Sequence, residues 1–433
     1  MQSSSYQLAF KSLTPIHQLP TNLTAARHPI HRWYNFIAGF SPEFVAECIR
    51  IQREEGQFSR LVLLDPFAGC GTSNVEANLN NVHSAGYEPH PFFADMARAK
   101  LQFPTDLPTC DFIGQIALTA VEHTADPETV WEPDALKFLQ KLIPATELPT
   151  FAAACLLEDA IPVPLRPVYR MLISQVLELA CTSQTDGIYK APTTLKTAKP
   201  FRVALDKVLQ GFRSDVALVG PTWENHAQLL THTSEVMPEL ERDSCTLCVT
   251  SPPYLNNFDF AEMTRMELYY WRYARNWGEI TERVRRLLVV NTTTAPTDLK
   301  RSQEQFEVLV PNRIRNTLAR LSAEMAELRR HRAGKKEYHL LVFPYFGQMT
   351  RVLSETYRVL APGGRLYLVV ADSALYGIHV QTQLLLAQIM ESVGFIRVTI
   401  HSLRERGYRW VLHKRLGPPK GSLGEFCLEA FKP

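Results

Sequence analysis

Arg60-Leu61-Val62-Leu63-Leu64-Asp65-Pro66-Phe67-Ala68-Gly69-Cys70-Gly71-Thr72 decides the fold. An apolar run of strand length stops at Asp65-Pro66. Two glycines one residue apart follow, and then a helix-forming stretch begins. That order brings the backbone close to a ligand at the carboxyl end of a parallel sheet. Gly69 and Gly71 permit the approach because they carry no Cβ. Ser73 and Glu76 are spaced as a capping box for the helix. A second short strand, Val82 to Tyr87, ends at Glu88-Pro89. Glu88 follows Gly71 at about the interval at which an acidic residue meets a ribose. Strand, turn, helix, strand and acid together predict the opening of a doubly wound α/β sheet. A purely structural tight turn is one alternative. A dinucleotide-binding dehydrogenase is another, but Asn74 occupies the place of its third glycine.

Upstream, residues 1–27 read as a loosely structured lead-in. Trp33, Tyr34, Phe36 and Phe40 then precede a helix with Ser41 as N-cap and Pro42 in its first turn. Downstream, residues 101–225 break the α/β rhythm and read as a helical insertion, with helical runs at Ala135 to Leu142 and Val168 to Ala180. Cys181 to Pro192 reads as a loop. The sheet resumes at Cys245 to Thr250. A helical, basic stretch follows from Phe260 to Lys336, with thirteen Lys/Arg against six Asp/Glu between Thr281 and Lys336. The remaining expectations are a strand at His339 to Phe343, a helix at Met349 to Leu360 and a turn at Ala361-Pro362-Gly363-Gly364. A strand at Arg365 to Val370 and a helix at Val380 to Val393, stopped by Gly394, come next. Phe395 to Ile400 and Glu425 to Phe431 form a closing hairpin.

With 433 residues, 45% of them hydrophobic, the chain can bury one large α/β domain plus an insertion, or two domains. A formal net charge of +2 excludes a uniformly basic coat, so any nucleic-acid surface must come from local clustering. The eight cysteines are scattered and no secretory signal is apparent, which predicts reduced thiols in a cytoplasmic protein. No apolar run is long enough to span a bilayer. Cys245 and Cys248 have CxxC spacing without a second pair, so no metal is expected. In a strand their side chains face opposite ways.

Ser251-Pro252-Pro253-Tyr254 carries the sharper chemistry. It follows an apolar strand, so it lies at the same carboxyl edge as the glycine turn. Two prolines remove two backbone donors and stiffen the turn. Carbonyls there are held outward as acceptors. An exocyclic base amine is a poor nucleophile because its lone pair is delocalised into the ring. Accepting hydrogen bonds from its N–H groups, as the Pro252 carbonyl and Ser251 hydroxyl could, frees that lone pair. Tyr254 is suited to stack on the base, which is worth roughly 1–3 kcal/mol. A proline-rich structural turn is the alternative.

Together the two blocks resemble the amino-group DNA methyltransferases. Asp65 to Thr72 resembles the cofactor motif, and Ser251 to Tyr254 the catalytic motif in its N4-cytosine form. His28 to Val45, Leu255 to Trp271 and Val359 to Ser373 resemble flanking motifs of the same family. The resemblance covers roughly residues 28–100 and 226–433 and implies a class I, Rossmann-like methyltransferase fold, a mostly parallel sheet with a final antiparallel hairpin. It implies S-adenosyl-L-methionine as cofactor and no metal. Phe40, Asp65, Pro66, Phe67, Gly69, Gly71, Thr72, Glu88 and Pro89 would bind the cofactor, Asp65 at the methionine moiety and Glu88 at the ribose hydroxyls. Ser251, Pro252, Pro253 and Tyr254 would orient a flipped cytosine. The expected organisation is a cofactor half at 1–100, an insertion at 101–225 as a candidate for target recognition, and a catalytic half at 226–433 with a basic segment at 275–338. The implied partner is double-stranded DNA. A cognate restriction endonuclease and the oligomeric state stay open. The family often places an acid near the adenine ring, but the corresponding Thr231-His232-Thr233-Ser234-Glu235 yields no assignment. N6-adenine methylation, RNA amine methylation and a catalytically silent cofactor-binding protein are the rival readings.

Overall fold

The computed structural model describes residues 25–34, 36, 39, 41–186, 189–256, 258–331, 336–406 and 423–433. Phe40, and residues 1–24 of the expected lead-in, lie outside them. Eleven strands occur among the described residues: β1 (Val62–Asp65), β2 (His83–Tyr87), β3 (Ser183–Asp186), β4 (Tyr189–Leu195), β5 (Ala227–Leu230), β6 (Cys245–Thr250), β7 (Leu360–Ala371), β8 (Ser373–Leu375), β9 (Ile378–Val380), β10 (Ile396–Arg406) and β11 (Leu423–Phe431). Seven build one sheet in the order β10-β11-β7-β6-β1-β2-β5. β11 is antiparallel to both neighbours, and the other pairings are parallel. This is the class I methyltransferase fold. The central strands read as near-continuous apolar runs because helices cover both faces. Leu63, Leu64, Leu247 and Cys248 have no solvent exposure. Strand order reverses beside β1, so the crevice for a ligand opens between the carboxyl ends of β1 and β6.

Ser41 caps helix Pro42–Glu54 by accepting from Phe44 N at 3.2 Å, as the sequence predicts. The capping box does not form. Helix Thr72–Leu79 starts on Gly71, which is left-handed at φ 82°. Ser73 Oγ donates instead to Asp65 Oδ2 at 2.6 Å, and Glu76 Oε1 meets His31 Nε2 at 2.8 Å. Buried Asp65 and His31 need partners more than the helix end does, because an unmet buried polar group is costly. Asn74, which replaces the third glycine of a dinucleotide turn, has its counterpart on the opposing strand. A Cβ on Gly86 would lie 2.5 Å from Asn74 Oδ1 and 3.0 Å from Ala68 Cβ. The close helix–strand approach is thus supplied from β2. Gly86→Ala is expected to destabilise the protein by about 1–3 kcal/mol through overpacking. Part of that loss should be recovered in an Asn74→Gly background. Urea denaturation of the four proteins checks this, and simple additivity would show that crowding is not the cause.

Between helix Pro91–Leu101 and β5 lie the helices Leu107–Glu122, Leu148–Leu156, Arg166–Ala180 and Phe201–Val219, with shorter turns between them. They share one apolar cluster with helices Pro91–Leu101 and Arg265–Tyr270. The expected loop at Cys181 to Pro192 is instead largely an antiparallel ribbon, β3 paired with β4. The expected strand at His339 to Phe343 is also corrected: a 3-10 turn at Tyr338–Leu341 runs into helix Val342–Val359. A short apolar run buried on every side cannot be told from a strand by periodicity. Pro344 is tolerated because it sits in the first turn. The turn expected at Ala361 to Gly364 lies within β7, where the register against β6 shifts and Gly363 adopts φ 79°. The helix expected from Val380 begins at Thr382, since Val380 ends β9. No helix among the described residues is long and apolar enough to cross a membrane.

Candidate active site

Asp65 ends β1 and is 1% exposed. Its Oδ1 accepts from Phe67 N at 3.0 Å and Thr250 Oγ1 at 2.6 Å, while Oδ2 takes the Ser73 hydroxyl. Thr250 ends β6 and immediately precedes Ser251. One carboxylate therefore ties the glycine turn, its helix and the Ser-Pro-Pro-Tyr segment together across the switch point. Burial pushes the Asp65 carboxyl above its ordinary range, against the pull of the Ser73 and Thr250 hydroxyls. Asp65 thus shapes the cradle from inside.

Glu88 closes the cradle from the β2 side. Its Oε2 accepts from Gly69 N at 2.9 Å and Oε1 from His90 N at 2.7 Å. Burial raises its carboxyl to about 8; the two backbone donors oppose the shift and the nearby Asp65 charge adds to it. Half-buried Pro89 leads into His90, which starts helix Pro91–Leu101. His90 Nδ1 accepts from Phe93 N at 3.4 Å, and its Nε2 meets Thr264 Oγ1 at 3.0 Å. Burial holds this imidazole neutral, at about 3.

Gly69 (φ 54°) and Gly71 line the turn. A Cβ on Gly69 would lie 2.9 Å from Phe36 Cε1, and one on Gly71 3.1 Å from Ala97 Cβ. Phe36 therefore lies over the glycine turn, with Phe93 at 4.8 Å between ring centroids and Phe260 at 6.0 Å. Phe36 was legible only as one of several aromatics upstream of the turn. Pro66 is buried, while Phe67 and Thr72 are half-buried.

Ser251, Pro253 and Tyr254 are half-buried and Pro252 is buried. Phe67 and Tyr254 pack against one apolar cluster, which brings the two motifs to one wall. The Tyr254 hydroxyl donates to Glu425 Oε1 on β11 at 2.8 Å, and Arg404 Nε donates to Glu425 Oε2 at 2.7 Å. Beyond the motif, Asn256 N donates to Asn291 O at 2.7 Å. Asp259 caps helix Phe260–Met263 through Glu262 N and receives Arg285 and the Thr294 hydroxyl. The segment after the motif is thereby fixed to residues 285–294. On the β8–β9 hairpin, His379 Nε2 lies 2.6 Å from Asp372 Oδ2, and Ser373 Oγ donates to Leu255 O at 2.6 Å. No local sequence pattern links Tyr254 to Glu425, or Asp259 to Arg285 and Thr294, since these partners lie 171, 26 and 35 residues apart.

In the unassigned loop after β5, Glu235 receives Gln348 Nε2 at 2.8 Å and Arg351 Nη1 at 3.1 Å. Much of the basic stretch is neutralised within the fold. Arg283 pairs with Glu279, Arg286 with Glu282 and Asp298, Arg320 with Glu324, and Arg330 with Glu327. Arg285 is buried on Asp259. Cys245 and Cys248 are both buried in the same apolar cluster. Burial raises the Cys245 thiol to about 11 and the Cys248 thiol well above its usual value. Among the described residues, no group of three or more His, Cys, Asp or Glu could hold a metal ion.

No family model matches the chain. It is similar to the Type II methyltransferase M.AvaI of Nostoc sp. (strain PCC 7120 / SAG 25.82 / UTEX 2576), 21% identical over 390 residues, covering 85% of this chain and 79% of that protein. It is also similar to the Type II methyltransferase M.BsoBI of Geobacillus stearothermophilus, 21% identical over 441 residues, covering 87% and 81%. A solved structure from Thermus thermophilus, described as a DNA modification methylase, shares 26% identity over 20% of this chain and 35% of its own, at a TM-score of 0.16. That last likeness is too slight to carry weight.

Proposed function

We propose that this chain is a site-specific DNA methyltransferase that moves a methyl group from S-adenosyl-L-methionine to the N4 amine of a cytosine flipped out of double-stranded DNA. The observation that carries this reading is the 2.6 Å bond from the Thr250 hydroxyl to Asp65. It sets the glycine turn and Ser-Pro-Pro-Tyr at one point of the sheet edge. Extended similarity to Type II methyltransferases supports the reading.

The residues present fit the cofactor. Gly69, lacking a Cβ, leaves the turn backbone bare under the Phe36 ring, and a buried carboxyl, Glu88, stands at its β2 wall. The bound cofactor supplies a methyl group on a sulfonium. Glu88 would accept the ribose hydroxyls, and the Gly69-Cys70-Gly71 backbone, with Pro66, Phe67, Thr72 and Pro89 around it, would hold the rest. Asp65 would keep that backbone in place. Pro252 and Ser251 would accept the amine N–H groups, and Tyr254 would stack on the base, which leaves the duplex at a cost of a few kcal/mol. Pro253 fixes the turn between them. The sulfonium would supply its methyl group to the nitrogen that Pro252 and Ser251 orient, and the amine proton would leave to solvent. The insertion at 101–225 and the basic segment at 275–338 would share the DNA surface. The backbone of β4 runs beside helix Phe260–Met263, just beyond the catalytic motif, which favours a role for the β3–β4 ribbon in target recognition.

The test is to incubate the protein with S-adenosyl-L-methionine and unmodified bacterial DNA, digest to nucleosides, and identify the methylated base by mass spectrometry. N4-methylcytosine is the expected product. N6-methyladenine would overturn the base assignment alone, and unmodified DNA would overturn the reading.

A further inference from the structure

We propose that Glu425 is a positioning residue for the reaction, fixing the plane of the Tyr254 ring on which the target base stacks. This rests on the function proposed above. Two prolines fix the backbone before Tyr254, but they do not fix its ring. The χ2 torsion of a tyrosine is broad, and the residue is only half-buried. A stacking platform has to hold its plane before the base arrives, because ordering it afterwards subtracts from the stacking energy.

The structure supplies the constraint at the far end of the ring. The Tyr254 hydroxyl reaches from the end of β6 across β7 to β11, where it donates to Glu425 Oε1 at 2.8 Å. The Glu425 side chain is 5% exposed. It is held twice more: by Arg404 Nε on Oε2 at 2.7 Å, and by the strand itself, since Glu425 pairs with Ala371 in the sheet register. The acceptor is therefore rigid, and it stands on a different strand from the ring it holds. Arg404, half exposed, supplies a positive charge that keeps a carboxylate there tolerable. Hydrogen bonds to a charged acceptor are the stronger kind, so the phenol has a defined resting orientation.

The adjacent backbone reinforces the arrangement. Gly424 N donates to Asp372 Oδ1 at 2.8 Å, which pins the start of β11 to the end of β7. Ser373, next to Asp372, binds Leu255 O, the residue after Tyr254. Tyr254 is thus fastened to the β7–β11 edge at its hydroxyl and, one residue later, at its backbone.

Single-turnover methylation, DNA binding and cofactor binding are measured for wild type, Tyr254→Phe, Glu425→Ala, Glu425→Gln and the double variant Tyr254→Phe/Glu425→Ala. Tyr254→Phe keeps the ring and removes only the anchor. It and Glu425→Ala should each lower the single-turnover rate about tenfold, the scale of one hydrogen bond to a charged group. The double variant should lose no more than either single one, because both remove one interaction. Glu425→Gln, which still presents an acceptor, should recover most of the rate, and cofactor affinity should stay unchanged throughout. An unaltered rate in Glu425→Ala, or losses that multiply in the double variant, would overturn the proposal. If wild type methylates no DNA, the functional reading fails instead. A crystal structure of Glu425→Ala then decides the anchor: a Tyr254 ring in an unchanged plane overturns it, and a displaced ring upholds it.

Discussion

Tyr254→Ala is expected to lower the single-turnover rate of DNA methylation about a hundredfold, near the upper end of what ~1–3 kcal/mol of base stacking is worth. Affinity for S-adenosyl-L-methionine should stay within about twofold of wild type, an effect inside the range of ordinary surface changes. The split follows from geometry. Tyr254 is held by Glu425, and its neighbour Leu255 by Ser373, on the β7–β11 side, whereas the cofactor cradle is built from Asp65, Gly69, Gly71 and Glu88 on the β1–β2 side. Thr250, four residues before Tyr254, ties the two sides through its hydrogen bond to Asp65, which Tyr254→Ala leaves in place. Removing the ring should therefore empty the base platform without loosening the cradle. A fluorescent base analogue at the target position adds an independent reading. Flipping into a pocket without its aromatic wall should give a smaller signal at saturating protein. Wild-type methylation by Tyr254→Ala would show that the transfer happens elsewhere on the molecule, whatever the cofactor does.

The contrast between what was and was not legible has a physical cause. Local chemistry was readable. Ser41 and Pro42 start a helix, the Leu61 to Asp65 run makes a central strand, and glycines at 69 and 71 make the turn, because each signal involves residues a few positions apart. Short-range patterns failed where a distant partner outbid them. Ser73 and Glu76 have capping-box spacing, yet Asp65 and His31 claim both side chains. His339 to Phe343 has strand composition, yet Val342, Phe343, Tyr345 and Phe346 are buried around a helix. The site shows the same division. Its glycines and its Ser-Pro-Pro-Tyr are contiguous motifs, so they stand out in one sequence. The side chains that hold them, Thr250, Phe36, Glu425 and Asp259, are ordinary residue types whose roles depend on which strands become neighbours. The count of basic residues between Thr281 and Lys336 overstates the charge left for DNA for the same reason. Several of those charges are answered by acids on the same helices or on adjoining segments.

Cofactor binding should strengthen as pH rises towards 8, and Glu88 should be the reason. Burial lifts its carboxyl to about 8, so in the free protein Glu88 is mostly protonated at neutral pH. Ribose hydroxyls are donors and bind best to the ionised form, so binding must expel the proton. Below that value the apparent affinity should fall about tenfold for each pH unit, the limiting slope for release of one proton. For folding the sign is opposite. The folded-state value lies above the ordinary carboxylate value, so the folded protein holds a proton that the unfolded chain releases. Glu88 therefore favours the fold fully below about 4.5, and this contribution is lost as pH rises to about 8. Stability and cofactor affinity should consequently move in opposite directions over the same interval. The cofactor's own α-amino group also titrates near ~7.7–8.0, so the measurement is the difference between wild type and Glu88→Gln. Calorimetry from pH 6 to 9 in buffers of differing ionisation heat reads both the affinity and the protons released. Wild type should release close to one more proton per cofactor near pH 7 than Glu88→Gln, whose affinity should be lower at pH 9 and flatter throughout. Identical slopes in the two proteins would place the titrating group on the cofactor and leave Glu88 as a brace for Gly69 and His90 alone.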